Sequence, residues 1–193
     1  TVASLDGTGS SISTLRNTAV ATTGSRITIT GNVVLGFTLA YVTQILIFSP
    51  PVGQSATFNP NGVNKGGNFI IEPAGTVIFL GNWSTTQSMR LANVDLNGYN
   101  ISLSGNGTVG TAGGHTNLGS GTFSVSGWFQ NNEAGITATS SHLRIHTATV
   151  NSRALFGGGT FGTVEMIEGG GTVADCNSTI NYLKLKNLET ILS

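Results

Sequence analysis

Charged residues are scarce in this chain of 193 residues, and their scarcity excludes several kinds of partner. Asp, Glu, Lys and Arg together make up 8% of the sequence, about a third of their usual share. Eight basic residues balance eight acidic ones, so no basic stripe is available to follow a nucleic-acid backbone. We therefore expect no nucleic-acid partner.

Cysteine and long apolar segments are lacking as well. The single Cys176 has no partner for an intrachain disulfide, so packing or assembly must supply the stability. The most apolar stretch, residues 33–48, is shorter than the ~20 residues that a membrane helix needs. Gly36, Thr38, Thr43 and Gln44 also interrupt it. The stretch therefore predicts buried β-structure and no membrane insertion.

Helix-type periodicity is also missing. No long window places apolar residues at positions i, i+3, i+4 and i+7. Instead, short alternating runs bounded by Gly, Asn and Ser recur along the chain, among them GTVIFLGN, YNISLSGNG and GTFSVSGWF. Such runs are typical of short β-strands, and the sequence therefore predicts an all-β fold.

Five apolar–polar–apolar triplets lie at nearly constant intervals in the C-terminal half. ISL, FSV, LRI, VEM and LKL begin at Ile101, Phe123, Leu143, Val164 and Leu183, which gives steps of 22, 20, 21 and 19 residues. Because strand residues alternate between two faces, we expect the first and third residues to point inward. The middle residues, which we expect to face water, are Ser102, Ser124, Arg144, Glu165 and Lys184. A period near twenty predicts parallel β-solenoid (β-helix) rungs.

The N-terminal third does not keep this period. It combines the apolar run with a loop rich in Pro, Asn and Gly. We therefore divide the chain into an irregular N-terminal β segment, residues 1–66, which is a cap or assembly interface, and a solenoid-like domain, residues 67–193. The alternative fold is a jelly roll or another β-sandwich, because these folds also contain short strands with regularly spaced turns.

Catalytic and metal-binding patterns are weak. A polysaccharide-degrading β-helix enzyme needs paired carboxylates. The candidates are Asp95, Glu165, Glu168 and Asp175. They are unclustered in the sequence, whereas His142 and His146 lie ~13 Å apart on a strand, too far to share a metal ion. We predict no catalytic residue, no metal and no cofactor, and keep the enzyme as an alternative.

Apolar and aromatic side chains supply the candidate contact residues. The apolar run is too hydrophobic to be left in water. It predicts an assembly interface formed by Phe37, Leu39, Tyr41, Ile45, Ile47 and Phe48. Trp128 and Tyr99 are candidates for stacking on a glycan, and they are equally suited to a core. Because few charges protect the β-edges, we also expect a homo-oligomer, with a trimer as the preferred state.

The run GGGTFGTVEMIEGGGTVADCNSTINYLKLKN resembles repeat regions of bacteriophage tail-fibre, tailspike and other virion surface proteins. In those regions a small-residue corner, TF or TI, an apolar triplet and GGGTV recur. The resemblance covers residues 122–187, about a third of the chain. It implies a structural protein of a virion surface, such as a tail fibre, tailspike or capsid decoration, or another extracellular protein.

Such a protein, as the resemblance implies, is commonly a homotrimer without a cofactor. It acts by assembly with itself and other virion proteins, or by contacting a host glycan. The alternative is a subunit of a non-viral extracellular filament or adhesin that is joined by strand addition.

Overall fold

The described residues form twenty β-strands and no helix. The structure, a computed structural model, describes residues 5–6, 26–35, 45–62, 69–71, 75–86, 88–110, 116–133, 136–146, 152–167, 171–174, 178–186 and 191–192. In chain order the strands are β1 (Leu5–Asp6), β2 (Arg26–Ile29), β3 (Val33–Val34), β4 (Ile45–Phe48), β5 (Ser55–Asn59), β6 (Phe69–Ile71), β7 (Thr76–Phe79), β8 (Trp83–Thr85), β9 (Met89–Leu91), β10 (Val94–Asp95), β11 (Ile101–Leu103), β12 (Gly107–Val109), β13 (Thr122–Val125), β14 (Phe129–Asn131), β15 (Thr137–His146), β16 (Ser152–Leu155), β17 (Thr160–Ile167), β18 (Gly171–Ala174), β19 (Thr179–Lys186) and β20 (Ile191–Leu192). Nothing in this described part is a helix long and apolar enough to cross a membrane.

Three parallel sheets run along the molecule. Their strand orders are β1-β3-β5-β7-β10, β8-β11-β13-β15-β17-β19 and β2-β4-β6-β9-β12-β14-β16-β18-β20. Every strand pair is parallel. Strands that are consecutive in the chain fall in different sheets, so the chain coils around an axis and each strand pairs with the next coil. This is the predicted parallel β-solenoid, and the antiparallel sandwich is excluded.

The register of the six-stranded sheet follows the triplet spacing residue for residue. The first residues of the five triplets are successive Cα partners, and so are the third residues. In the first four triplets these inward residues are at most 1% exposed. One step of about twenty residues is therefore one coil, and its apolar side chains are buried because the neighbouring coils continue the core.

The solenoid extends further towards the N-terminus than the spacing indicates. Strands β2, β4, β6 and β9 pair in sequence within the nine-stranded sheet, so strands on both sides of residue 66 belong to one sheet. The coils there differ in length: Arg26 pairs with Ile45, 19 residues later, whereas Leu46 pairs with Phe69, 23 residues later. The described N-terminal strands are thus regular in pairing, and only the turns vary.

Aromatic rings fill the inside of the coils in two clusters. One consists of Phe48, Phe58, Phe79 and Trp83, and the other of Phe123, Phe129, Phe156 and Phe161. Within the clusters, contacting ring centroids lie 5.0–6.3 Å apart, mostly in edge-to-face pairs. This geometry adds a favourable quadrupole interaction to the burial of the rings.

Leu183 and Leu185 depart from the predicted burial of the triplets. They keep register with Val164 and Met166, yet they are 42% and 47% exposed. Among the described strands β19 is the last of its sheet, and β17 is the strand that pairs with it. The two leucines therefore keep the predicted inward register, but they are not buried in the single chain.

Candidate functional site

The outer face of the six-stranded sheet carries a continuous row of polar side chains. The middle residues of the triplets are register partners and extend the row from Ser84. The members of the row are Ser84, Ser102, Ser124, Arg144, Glu165 and Lys184. They point away from the core because their neighbours along each strand are the inward apolar residues. The row begins with hydroxyl groups and ends with charges.

Arg144, Glu165 and Lys184 form an ionic network that we name the charged ladder. Arg144 Nε donates a hydrogen bond to Glu165 Oε2 at 2.9 Å, and Lys184 Nζ lies 3.0 Å from Glu165 Oε1. The strands on both sides of β17 thus contribute a cation to the same carboxylate. His142 Nε2 lies 3.6 Å from Oε2 and adds a further ion pair when it is protonated.

Glu165 is covered rather than exposed to water as its position in the triplet predicts. Its side chain is only 8% exposed, while those of Arg144 and Lys184 are 40% and 52% exposed. The hydrogen bond from Lys184 holds the pKa of Glu165 below its ordinary value, with further lowering by Arg144 and opposition from burial. A carboxylate in this environment stays ionised at neutral pH, so Glu165 is suited to joining strands and is a poor proton donor.

A second polar site lies at the end of the five-stranded sheet, and we name it the carboxylate cleft. It is a cavity of about 260 Å³ whose described lining residues are Thr76, Val94, Asp95, Thr116, Asn117 and Glu133. Asp95 belongs to β10 and pairs with Asn117 through an isolated parallel bridge. Glu133 follows β14 on the next coil. The coiling therefore brings together two carboxylates that are 38 positions apart in the sequence.

Hydrogen bonds hold the floor of the carboxylate cleft. Asp95 Oδ1 accepts from the backbone N–H of Asn97 at 2.8 Å and from Asn117 Nδ2 at 3.1 Å. The oxygen Asn117 Oδ1 accepts from the N–H of Gly119 at 2.9 Å. Both side chains thus close a short turn behind their strand, which fixes their oxygen atoms at the surface of the cavity.

Gly110 leaves space for Glu133, which lines the carboxylate cleft. It has a φ angle of 73°, in the left-handed region that favours glycine. A Cβ atom at this position would overlap both the Cβ and the backbone nitrogen of Glu133. A side chain at residue 110 would therefore displace Glu133, so the cleft depends on this glycine.

The candidate interface residues fall into two groups. Phe37, Leu39, Tyr41 and the side chain of Ile45 lie outside the described residues. Ile47 is 6% exposed and Phe48 is fully buried against Phe58. The structure thus assigns these two residues to the chain's own interior, because β4 is covered by β2 and β6 and by the aromatic core.

The two candidate glycan contacts differ in accessibility. Trp128 is 45% exposed, and its backbone N–H donates to Asn106 Oδ1 at 2.8 Å, which anchors the corner that carries the indole. Tyr99 is half-buried and packs against the core. Trp128 therefore offers more surface to a sugar ring than Tyr99 does.

Of the candidate carboxylates, Asp95 lies in the carboxylate cleft and Glu165 in the charged ladder, whereas Glu168 and Asp175 lie outside the described residues. The structure places Asp95 beside Thr116 and Glu133, which no sequence pattern identifies as site residues. In the part of the chain that the structure describes, no group of three or more His, Cys, Asp or Glu side chains could hold a metal ion.

No protein-family model, curated protein or solved structure matches this chain.

Proposed function

We propose that this chain is a structural protein of a virion surface, such as a tail fibre, tailspike or capsid decoration, and that it acts by assembly with copies of itself. The observation that carries the proposal is the exposed apolar surface of β19, the last described strand of its sheet. There Tyr182, Leu183 and Leu185 are 61%, 42% and 47% exposed. Leu183 and Leu185 continue the inward face of this strand, where another polypeptide can bury them, and Tyr182 lies on the opposite face.

The backbone of β19 favours the same mode of contact. An edge strand presents N–H and C=O groups that have no partner on its outer side, and such an edge pairs readily with another chain. The inward column continues to Leu183 and Leu185 in unbroken register. A strand added beyond β19 would therefore extend the sheet and the core together.

The outer faces support a passive structural role. The middle row of the six-stranded sheet consists of serine hydroxyls and of charges that neutralise each other within the charged ladder. With eight basic and eight acidic residues in the chain, electrostatic attraction to a partner is weak. Assembly should then depend on apolar burial and backbone pairing at the end of the solenoid.

The resemblance of residues 122–187 to virion repeat regions supports the extracellular or virion setting and a homotrimer. Other virion proteins are then further partners, and a host glycan is a partner for Trp128. The exposed edge of β19 equally suits a subunit of a non-viral filament or adhesin that is joined by strand addition. The particle from which the protein is isolated distinguishes these two settings.

Sedimentation velocity over a range of protein concentrations tests the proposal. The wild-type chain should self-associate, and Leu185→Lys should weaken the association about tenfold or more, because it removes half-buried apolar surface and adds a charge. Val52→Lys is the matched control, since Val52 is 85% exposed and lies far from β19 in the chain.

Two results would overturn the proposal. One is a wild-type chain that sediments as a folded monomer at every concentration. The other is Leu185→Lys associating as strongly as Val52→Lys. The order of the oligomer follows from the same data, and we expect three chains.

A further inference from the structure

The carboxylate cleft contains buried oxygen atoms that have no hydrogen-bond partner. Thr116 is 7% exposed, and its Oγ1 has no partner among the described residues; Glu133 Oε2 is likewise buried without one. Nearly all buried polar atoms in folded proteins are hydrogen-bonded or bind an ion or water. Two such atoms that line one cavity therefore indicate that the cavity holds a ligand.

The charge of the cleft indicates a cation. Asp95 and Glu133 both line the cavity, and no Lys, Arg or His is among its described lining residues. The hydrogen bonds to the Asp95 carboxylate from described residues both go to Oδ1, so they leave Oδ2 unoccupied. Two carboxylates that share a cavity repel each other unless a positive charge lies between them.

The donor atoms select the class of cation. They are carboxylate oxygens, the hydroxyl of Thr116 and the amide oxygen of Asn117, and the lining residues that the structure describes include no sulfur or imidazole ligand. Zinc prefers nitrogen and sulfur ligands, whereas Ca²⁺ takes six to eight oxygen ligands in flexible geometry and accepts water among them. A cavity of about 260 Å³ has room for the ion and its waters. We propose that the carboxylate cleft is a Ca²⁺ site.

The position of the cleft gives the ion a structural effect. Thr76, Asp95 and Asn117 come from successive coils, as the pairing of β7 with β10 and the bridge from Asp95 to Asn117 show. Glu133 comes from the coil after that. A bound Ca²⁺ would therefore join coils that are otherwise linked by backbone hydrogen bonds and by packing. Because the ion binds the folded chain, it should raise the melting temperature.

Calorimetric titration of the chelator-treated full chain with Ca²⁺, together with thermal unfolding, tests the proposal. We expect one Ca²⁺ per chain, with affinity in the range of extracellular calcium modules, and a rise in melting temperature that a chelator reverses. Glu133→Gln and Asp95→Asn should each weaken Ca²⁺ binding at least about tenfold. Thr116→Val, which keeps the shape of the side chain, should weaken it to a smaller extent.

Glu165→Gln is the matched control, because it makes the same chemical change in another buried carboxylate outside the cleft. This variant should bind Ca²⁺ with wild-type affinity even if its melting temperature is lower than that of the wild type. The proposal is overturned if millimolar Ca²⁺ gives no binding heat and no thermal shift. It is also overturned if Mg²⁺ binds as tightly as Ca²⁺, or if the Glu133 and Asp95 variants bind Ca²⁺ like Glu165→Gln.

Discussion

Arg144 on β15 donates a hydrogen bond from Nε to Glu165 Oε2 on β17, at 2.9 Å, across a single step of the solenoid. The two residues are Cα partners in the parallel register. Residues at equivalent positions of two successive repeats are therefore hydrogen-bonded to each other on the outer face. Lys184 repeats the interaction from the other side, so the last three strands of the sheet are joined by charge as well as by backbone hydrogen bonds.

Stability should fall in acid partly through Glu165. The pKa of its carboxyl is lowered in the folded chain. Its contribution is therefore fully present above the ordinary carboxyl pKa of 4.5 and is lost as the pH falls through the lower folded value. Thermal unfolding as a function of pH should show that Glu165→Gln has a lower melting temperature at pH 7 and a shallower decline in acid. Parallel curves for the two proteins would contradict this role of Glu165.

Glu165→Gln should nevertheless leave assembly and attachment intact, because Glu165 stabilises strands and no reaction is assigned to it. Glycan-cleaving activity that is present in the wild type and lost in Glu165→Gln would contradict this assignment. The reducing ends released from a host polysaccharide measure that activity.

Adjacent aromatic residues should differ sharply in their contribution to stability. Phe129 is fully buried, whereas Trp128 beside it is 45% exposed. Phe129→Ala should lower the free energy of unfolding by about 3–5 kcal/mol, because it opens a cavity among three other rings. Trp128→Ala should change it by only about 0.5 kcal/mol. Urea unfolding of both variants measures the difference, and equal losses would place the two rings in similar surroundings.

Asn82 and Asn100, at one corner of the solenoid, should stabilise the folded chain through their side-chain oxygen atoms. Asn100 donates its backbone N–H to Asn82 Oδ1 and accepts the N–H of Thr122 with its own Oδ1, both at 2.8 Å. Asn100→Ala should cost about 1 kcal/mol because the Thr122 N–H loses its acceptor. Asn100→Asp keeps the oxygen and should cost less. Chemical denaturation that ranks the two variants the other way would exclude this explanation.

Trp128 should report glycan contact by its fluorescence. The chain has two tryptophans, and Trp83 is only 2% exposed, so a host polysaccharide can reach Trp128 alone. Titration should shift the emission of the wild type and leave that of Trp128→Phe unchanged, with Trp83 as the internal reference. A shift of equal size in Trp128→Phe would remove Trp128 from the contact surface.

The C-terminal coils are predictable from the sequence because their triplets keep both period and polarity. Ile101 and Phe123, for example, are register partners at the predicted step. The N-terminal coils are less visible because turn lengths vary between them, as in the 23-residue step from Leu46 to Phe69. The backbone pairing is the same in both parts. Where turn lengths vary, however, a search for a constant spacing in the sequence does not detect it.

The candidate sites are less predictable, since they depend on neighbours from other coils. Glu165 has the alternation of an exposed residue, and it is covered only because charged side chains flank it on both neighbouring strands. Leu185 lies at an alternating position typical of a buried residue, and it is exposed because no described strand follows β19 in its sheet. Asp95 and Glu133 meet only when the coil lengths between them are known, so their sequence separation gives no signal.

Hydrogen–deuterium exchange at rising protein concentration tests the central claim most directly, because it shows whether β19 is the joining surface. In a single chain the outward amides of an edge strand exchange readily, and an added strand protects them. Residues 179–186 should become protected as the chain self-associates, while β11 in the middle of the same sheet should keep constant, slow exchange. Self-association that leaves exchange in β19 unchanged would contradict the central claim.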